Sequence, residues 1–179
     1  MKDCIITFVK GYLKLLLICL IFILSVNTSF SQAKYKIYAG FINHFTKYVQ
    51  WPANTKTGDF VIAIVGDCPI ATDLQPLSGK TVGSQSIVVK TFKKASEITA
   101  AHIIFLPEQS KSAAAEVDKI AKTMNALFVT EFDGGAKKGA DINFVEIEGK
   151  LKFEISNANN EAHGLKVAAE LKKLGIVLD

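Results

Sequence analysis

Apolar residues recur at spacings of one, three and four through "KYKIYAGFINHFTKYVQ" (Lys34 to Gln50), where Ile37, Tyr38, Phe41, Ile42, Phe45, Tyr48 and Val49 form a wide stripe. That spacing predicts an amphipathic helix. Pro52 biases Trp51 away from helical geometry, so "QWP" ends it. Four runs then lack the helical period: "FVIAIVG" (Phe60 to Gly66), "SIVVKTF" (Ser86 to Phe92), "HIIFL" (His102 to Leu106) and "ALFVTEF" (Ala126 to Phe132). Short continuous apolar runs of this kind predict strands covered on both faces. Between the last two, Ala113, Val117, Ile120, Ala121 and Met124 mark another amphipathic helix. Alternation of helix and strand predicts a largely parallel sheet with helices packed on it.

The pattern changes at "DGGAKKG" (Asp133 to Gly139), a loop whose glycines permit positive backbone angles. Beyond it, "GADINFVEIEGKLKFEISNANN" predicts a hairpin turning at Glu148-Gly149, a pair close in chemistry to Asp-Gly. That turn sets Phe144 opposite Phe153, Ile142 opposite Ile155, and Asn143 opposite Glu154. The aromatic and aliphatic pairs would hold the hairpin to the domain. Asn143 and Glu154 would share the other face and fix the register by hydrogen bonding, a reading favoured over direct ligand binding. A last helix is expected from about Ala158 to Leu174, with Val167, Ala168, Leu171 and Leu174 on one stripe and Gly175 ending it. The fold class expected is α/β: a single three-layer domain with a largely parallel central sheet plus a C-terminal antiparallel hairpin and helix.

The first residues stand apart from this pattern. Lys2, Lys10 and Lys14 precede "LLLICLIFILSV" (Leu15 to Val26), and "SFS" places the small residues Ser29 and Ser31 at the minus-three and minus-one positions of a cleavage after Ser31. This is the layout of a signal peptide, 1–31, cleaved after Ser31, with an apolar core too short for a comfortable membrane span. The remainder, 32–179, is of one-domain size, exported to the periplasm and without stable membrane insertion.

Charge and composition narrow the function classes. Every basic residue is lysine, so the bidentate guanidinium fork that reads phosphates and guanine edges is missing. Removal of 1–31 lowers the formal net charge from +4 to about +2. Nucleic acid is therefore not an expected partner. Cys4 and Cys19 leave with the leader, and Cys68 alone cannot form an internal disulfide.

Candidate chemistry is sparse. Cys68 in "GDCPI" follows the first predicted strand and could in principle meet His102, yet a lone cysteine there is more often a small buried hydrophobe. His44, His102 and His163 show no metal-ligand spacing and read as structural, with His163 expected on a helix surface. "GGAKKG" could cradle an anion, but it lacks the phosphate-loop GKS or GKT element, and a strand follows. No catalytic residue, cofactor or metal is expected.

Four segments together resemble one family. "FINHFTKYVQWP" is similar to an aromatic helix ending in Trp-Pro, "FVIAIVGDCPI" to a strand followed by Gly-Asp and Pro, and "GKTVGSQSIVVK" to a Gly-Lys turn leading into a strand. The block from Gly139 to Leu174 carries Ile-Asn-Phe, Gly-Lys-Leu, Phe-Glu-Ile and a Gly-Leu element. The chain thus resembles the YfiR family of exported bacterial proteins over nearly all of 32–179. The resemblance implies a periplasmic α/β domain without enzymatic activity, binding the exported part of an inner-membrane signalling protein, a diguanylate cyclase or a sensor kinase, and repressing it. Two features depart from the family pattern: a single cysteine after the leader, which removes disulfide-based redox control, and Gly139-Ala140-Asp141 where the family has Gly-Gly.

Under that reading the partner-binding candidates are Tyr48, Trp51 and Pro52, with Phe45 better suited to the core. A homo-oligomer is compatible with it. The alternative is a small-ligand sensor with a pocket near Gly66, Asp67, the Asp133 to Gly139 loop, Asn143 and Glu154.

Overall fold

In the computed structural model, which describes residues 33–179, an eight-stranded mixed sheet organises the unit Lys36–Asp179. The leader expected over 1–31 lies outside the described residues. Residues 33–48 are helical (α1), followed by β1 (Val49–Gln50), β2 (Phe60–Val65) and α2 (Ile70–Leu74). Next come β3 (Thr81–Val82), β4 (Gln85–Phe92), β5 (Ile103–Leu106), α3 (Ala114–Met124) and β6 (Leu127–Thr130). The chain ends with β7 (Ile142–Ile147), β8 (Lys150–Ser156), α4 (Asn157–Ala162), β9 (Lys166–Val167), α5 (Ala169–Lys172) and β10 (Ile176–Leu178).

The sheet order is β10-β8-β7-β6-β5-β2-β4-β3. Only β7 with β8 and β3 with β4 run antiparallel; the other neighbours are parallel. The continuous apolar runs occupy the middle: every residue of β2, β5 and β6 is buried, as strands covered on both faces require. A separate two-stranded ribbon pairs Val49 with Val167 and Gln50 with Lys166.

Helices cover both faces and give the three layers. On one side α1 lays its aromatic stripe on the hairpin: Tyr38 stacks on Phe144 at 3.9 Å between ring centroids, and Phe41 and Phe45 meet Phe153 edge-on at 5.1 and 5.5 Å. Offset and edge contacts of this kind each add about 0.5–1.5 kcal/mol beyond simple burial. On the other side Ala114, Val117 and Ala121 of α3 pack with Ala63, Val65, Ile104, Leu106 and Phe128. The helix ends at Asn125 in the left-handed region, φ 53°, one of the few non-glycine types that visits it readily.

The expected hairpin forms with its expected register, including Asn143 opposite Glu154. Glu148 and Gly149 both have positive φ, 53° and 70°, as the tight turn that matches strand twist demands. The expected helix from Ala158 to Leu174 does not form. It breaks into α4, β9 and α5 because Gly164 takes φ +72°, and the following residues leave the helix path to pair with β1. Gly175 does not cap a helix either: a Cβ there would run into the Phe153 ring, so it serves close approach of β10 to β8.

Candidate functional site

Val49 and Gln50 are drawn into the ribbon with β9, which orients the next residues, Trp51 and Pro52. Trp51 is half-buried: its ring sits perpendicular to Phe60 at 5.0 Å, and Nε1–H donates to the His102 carbonyl at 3.1 Å. Tyr48 and Pro52 are also half-buried, the Tyr48 carbonyl accepting from Ala168 N–H, whereas Phe45 is wholly buried. The three partner-binding candidates therefore lie side by side at the end of α1, and Phe45 belongs to the core.

Below Trp51 opens a cavity of about 330 Å³ lined by Trp51, Phe60, Lys56, Gln85, His102 and the Gly83-Ser84 turn, among others. Its polar wall is built from buried groups. His102 Nδ1 accepts from Val61 N–H at 3.2 Å, so the ring proton sits on Nε2, which donates to the Thr55 carbonyl at 2.7 Å. Burial lowers the His102 pKa below its ordinary value, only partly offset by the Thr55 bond, and keeps the ring neutral. Gln85 Nε2 donates to the same Thr55 carbonyl at 3.1 Å. His102 and Gln85 thus hold the loop after Pro52 in place, and neither imidazole nitrogen is left for proton transfer.

A second polar cluster anchors the far side of the ribbon. His163 Nδ1 lies 2.8 Å from Asp141 Oδ2, and Nε2 lies 3.2 Å from Asp118 Oδ1 on α3. Asp141 Oδ2 also accepts from Phe128 N–H, and Asn125 Nδ2 donates to the His163 carbonyl. Burial by itself lowers the His163 pKa, but the hydrogen bonds and charges of Asp141 and Asp118 outweigh it and raise the pKa above its ordinary value. Burial likewise raises the Asp141 pKa, and His163 offsets this only in part. His163 therefore keeps its proton to higher pH than an ordinary imidazole, and Asp141 to higher pH than an ordinary carboxyl. His163 is therefore not on a helix surface, as expected from sequence, but 1% exposed.

The ligand-pocket candidates fall into two groups. Asn143 Nδ2 donates to Glu154 Oε2 at 3.0 Å, and Thr130 Oγ1 donates to Asn143 Oδ1 at 2.8 Å, forming a polar ladder across β6, β7 and β8. Gly135 closes over it so tightly that a Cβ would strike Thr130 and Asn143. Gly66 and Asp67 leave β2 three strands away, about 14 Å at ordinary strand spacing. There they meet Ser110 and Gln109, whose side chains donate to the Val65 and Asp67 carbonyls.

The other sequence candidates resolve simply. Cys68 is buried beyond the C-terminal end of β2, whereas His102 N–H bonds Val61 near its start, so the two cannot act together. In "GGAKKG" the amides of Gly135, Lys138 and Gly139 bond backbone carbonyls within the loop or just before it, and Asn159 takes the Ala136 and Ala140 carbonyls. These amides are therefore turned to the loop's own turns. His44 is exposed on α1 and stacks with Tyr48. Among the described residues, no group of three or more His, Cys, Asp or Glu side chains is placed to hold a metal ion, and no helix is long and apolar enough to cross a membrane.

Sequence reasoning missed the Asp118–His163–Asp141 cluster and the role of Gln85. The members of each lie far apart in the chain, and no local spacing joins them.

No curated protein matches the sequence. Among solved structures, the chain is similar to the crystal structure of a conserved domain protein from Vibrio cholerae O1 biovar eltor, at 12% identity with a TM-score of 0.53. The alignment covers 81% of this chain and 60% of that one, and at this identity the likeness concerns the fold. A family model described as YfiR/HmsC-like matches residues 35–175, almost the whole of the described chain. The chain belongs to the YfiR/HmsC-like family.

Proposed function

We propose that the protein is a non-enzymatic periplasmic regulator that binds the exported portion of an inner-membrane signalling protein, a diguanylate cyclase or a sensor kinase, and represses it. The observation that carries this reading is the family match over residues 35–175. The signal-peptide pattern of 1–31 supports the location. Tyr48, Trp51 and Pro52 supply the contact face, since half-buried aromatics held on a rigid frame lose little entropy when a partner covers them.

Affinity purification of the tagged protein from gently crosslinked cell envelopes tests it. An inner-membrane cyclase or kinase should be enriched, and the enrichment should fall with Trp51→Ala. Recovery of no such signalling protein, with the bait intact and abundant, would sink the reading.

The cavity beneath Trp51 favours a second reading, a small-ligand sensor. A ligand that binds only the folded state raises the melting temperature, so a thermal-shift screen with metabolites separates the two. A hit should lose its effect in a cavity variant such as Gln85→Ala.

A further inference from the structure

Among the described residues, the sheet ends in β10 on one side and in β3 with the uncovered part of β4 on the other. β3 covers β4 only at Gln85 and Ser86, and Ile87 exchanges backbone bonds with Gly79 and Lys80. Among the described residues, β4 from Val88 onward pairs only with β2. Backbone groups alternate sides along a strand. Because Ile87 bonds outward and the Phe92 carbonyl bonds inward to Gly66 N–H, the N–H and C=O groups of Val89 and Thr91 point away from the sheet. Val88, Val89 and Phe92 are half-buried, so the edge is apolar as well as unpaired.

An edge of this kind is a template for another strand. Exposed lysines decide which strand. Lys90 sits between the two outward-facing residues, Lys80 flanks one end, and Lys93 and Lys94 flank the other. Of the acids near this edge, Glu97 already accepts from Lys93 N–H at 3.1 Å. Pairing β4 with β4 of a second copy would set these lysines against one another, a repulsion that works against self-association. An extended segment rich in aspartate or glutamate would meet them with complementary charge.

We propose that the outer edge of β4, from Val88 to Phe92, is a docking site for an acidic, extended segment of a partner protein, which adds to the sheet by bonding Val89 and Thr91. This specifies the chemistry of the segment, holds whichever signalling protein is the partner, and uses a surface apart from Trp51.

The test uses the mature protein and a short synthetic peptide alternating glutamate with valine and threonine, alongside its lysine counterpart. The acidic peptide should bind and the lysine peptide should not, with hydrogen-exchange protection appearing at the Val89 and Thr91 amides. Val89→Pro removes an outward N–H that bonds nothing among the described residues, so it should abolish binding with little loss of melting temperature. Lys90→Glu, at an exposed position, should weaken the acidic peptide about tenfold and favour the lysine peptide. This second variant decides the matter if Val89→Pro fails to fold. Absence of acidic-peptide binding, binding without protection of those amides, or an unchanged charge preference in Lys90→Glu would overturn the proposal. So would protection that rises with protein concentration alone, which would assign the edge to a second copy.

Discussion

His163 Nδ1 lies 2.8 Å from Asp141 Oδ2 with both side chains sealed from solvent, 1% and 0% exposed. This contact ties the turn after α4 to the start of β7, and through Asp118 to α3. Removing the imidazole leaves a buried carboxylate without its counter-charge. His163→Ala should cost about 3 kcal/mol, read as a lower urea midpoint at unchanged slope. A loss below about 0.5 kcal/mol would show that the cluster does not hold the segment.

His163 and His102 should titrate in opposite senses. The folded His163 pKa is raised, so its contribution is complete below its unfolded value near 6.5 and is lost as pH rises through the folded pKa. The folded His102 pKa is lowered, so its contribution is complete above about 6.5 and is lost as pH falls through the folded pKa. Imidazole resonances followed by NMR should show one midpoint above 6.5 and one below it. His102→Gln should flatten the acid side of the stability profile, and His163→Gln the alkaline side.

Gly139 should be intolerant of any side chain. Its φ of +97° disfavours other residues, and a Cβ would strike the Asp118 carboxylate. Gly139→Ala should cost about 1–2 kcal/mol. It should also lower the His163 midpoint by displacing Asp118, a shift that backbone strain alone would not produce.

The polar ladder separates a shared bond from a buried one. Glu154 is half-buried, so Glu154→Ala should cost about 1 kcal/mol. Asn143 is 1% exposed and bonds both Thr130 and Glu154, so Asn143→Ala should cost about 2–3 kcal/mol. Denaturant midpoints of the two variants check the order, and equal losses would mean that the ladder is not the source.

Trp51 is the sole tryptophan of the chain and therefore its own probe. Trp51→Phe keeps a ring against Phe60 but loses the bond to the His102 carbonyl, and should cost about 1 kcal/mol. Trp51→Ala should cost about 2–3 kcal/mol, because the ring packs edge-on against Phe60. Wild-type fluorescence should shift to the red in one step with the loss of far-UV ellipticity.

The strands and the hairpin were legible because their signals are local. Phe60 to Val65 reads as buried from its unbroken apolar run, and Glu148-Gly149 sets the register of every pair in the hairpin. The broken C-terminal segment was not, because Val167, Ala168, Leu171 and Leu174 fit a helical stripe. The pull of Val49 on Val167 depends on a pairing between opposite ends of the chain. His163 misled for the same reason: Asp118 and Asp141 are distant in sequence, and nothing beside His163 announces them. Tyr48, Trp51 and Pro52 could be placed together from the aromatic helix end, but the cavity beneath Trp51 required Gln85 and His102, each on a different strand or strand entry.

The ribbon of β1 and β9 also has a kinetic side. It joins the residues just after α1 to residues near the C-terminus, enclosing almost all of the sheet in one loop. Such distant closure slows folding, since the entropy of the loop is lost before the contacts are gained. The frame around Trp51 therefore cannot be completed until the last segment of the chain is available. A chain halted before Lys166 would retain most of its sheet-forming residues while lacking the strand that sets the orientation of its tryptophan.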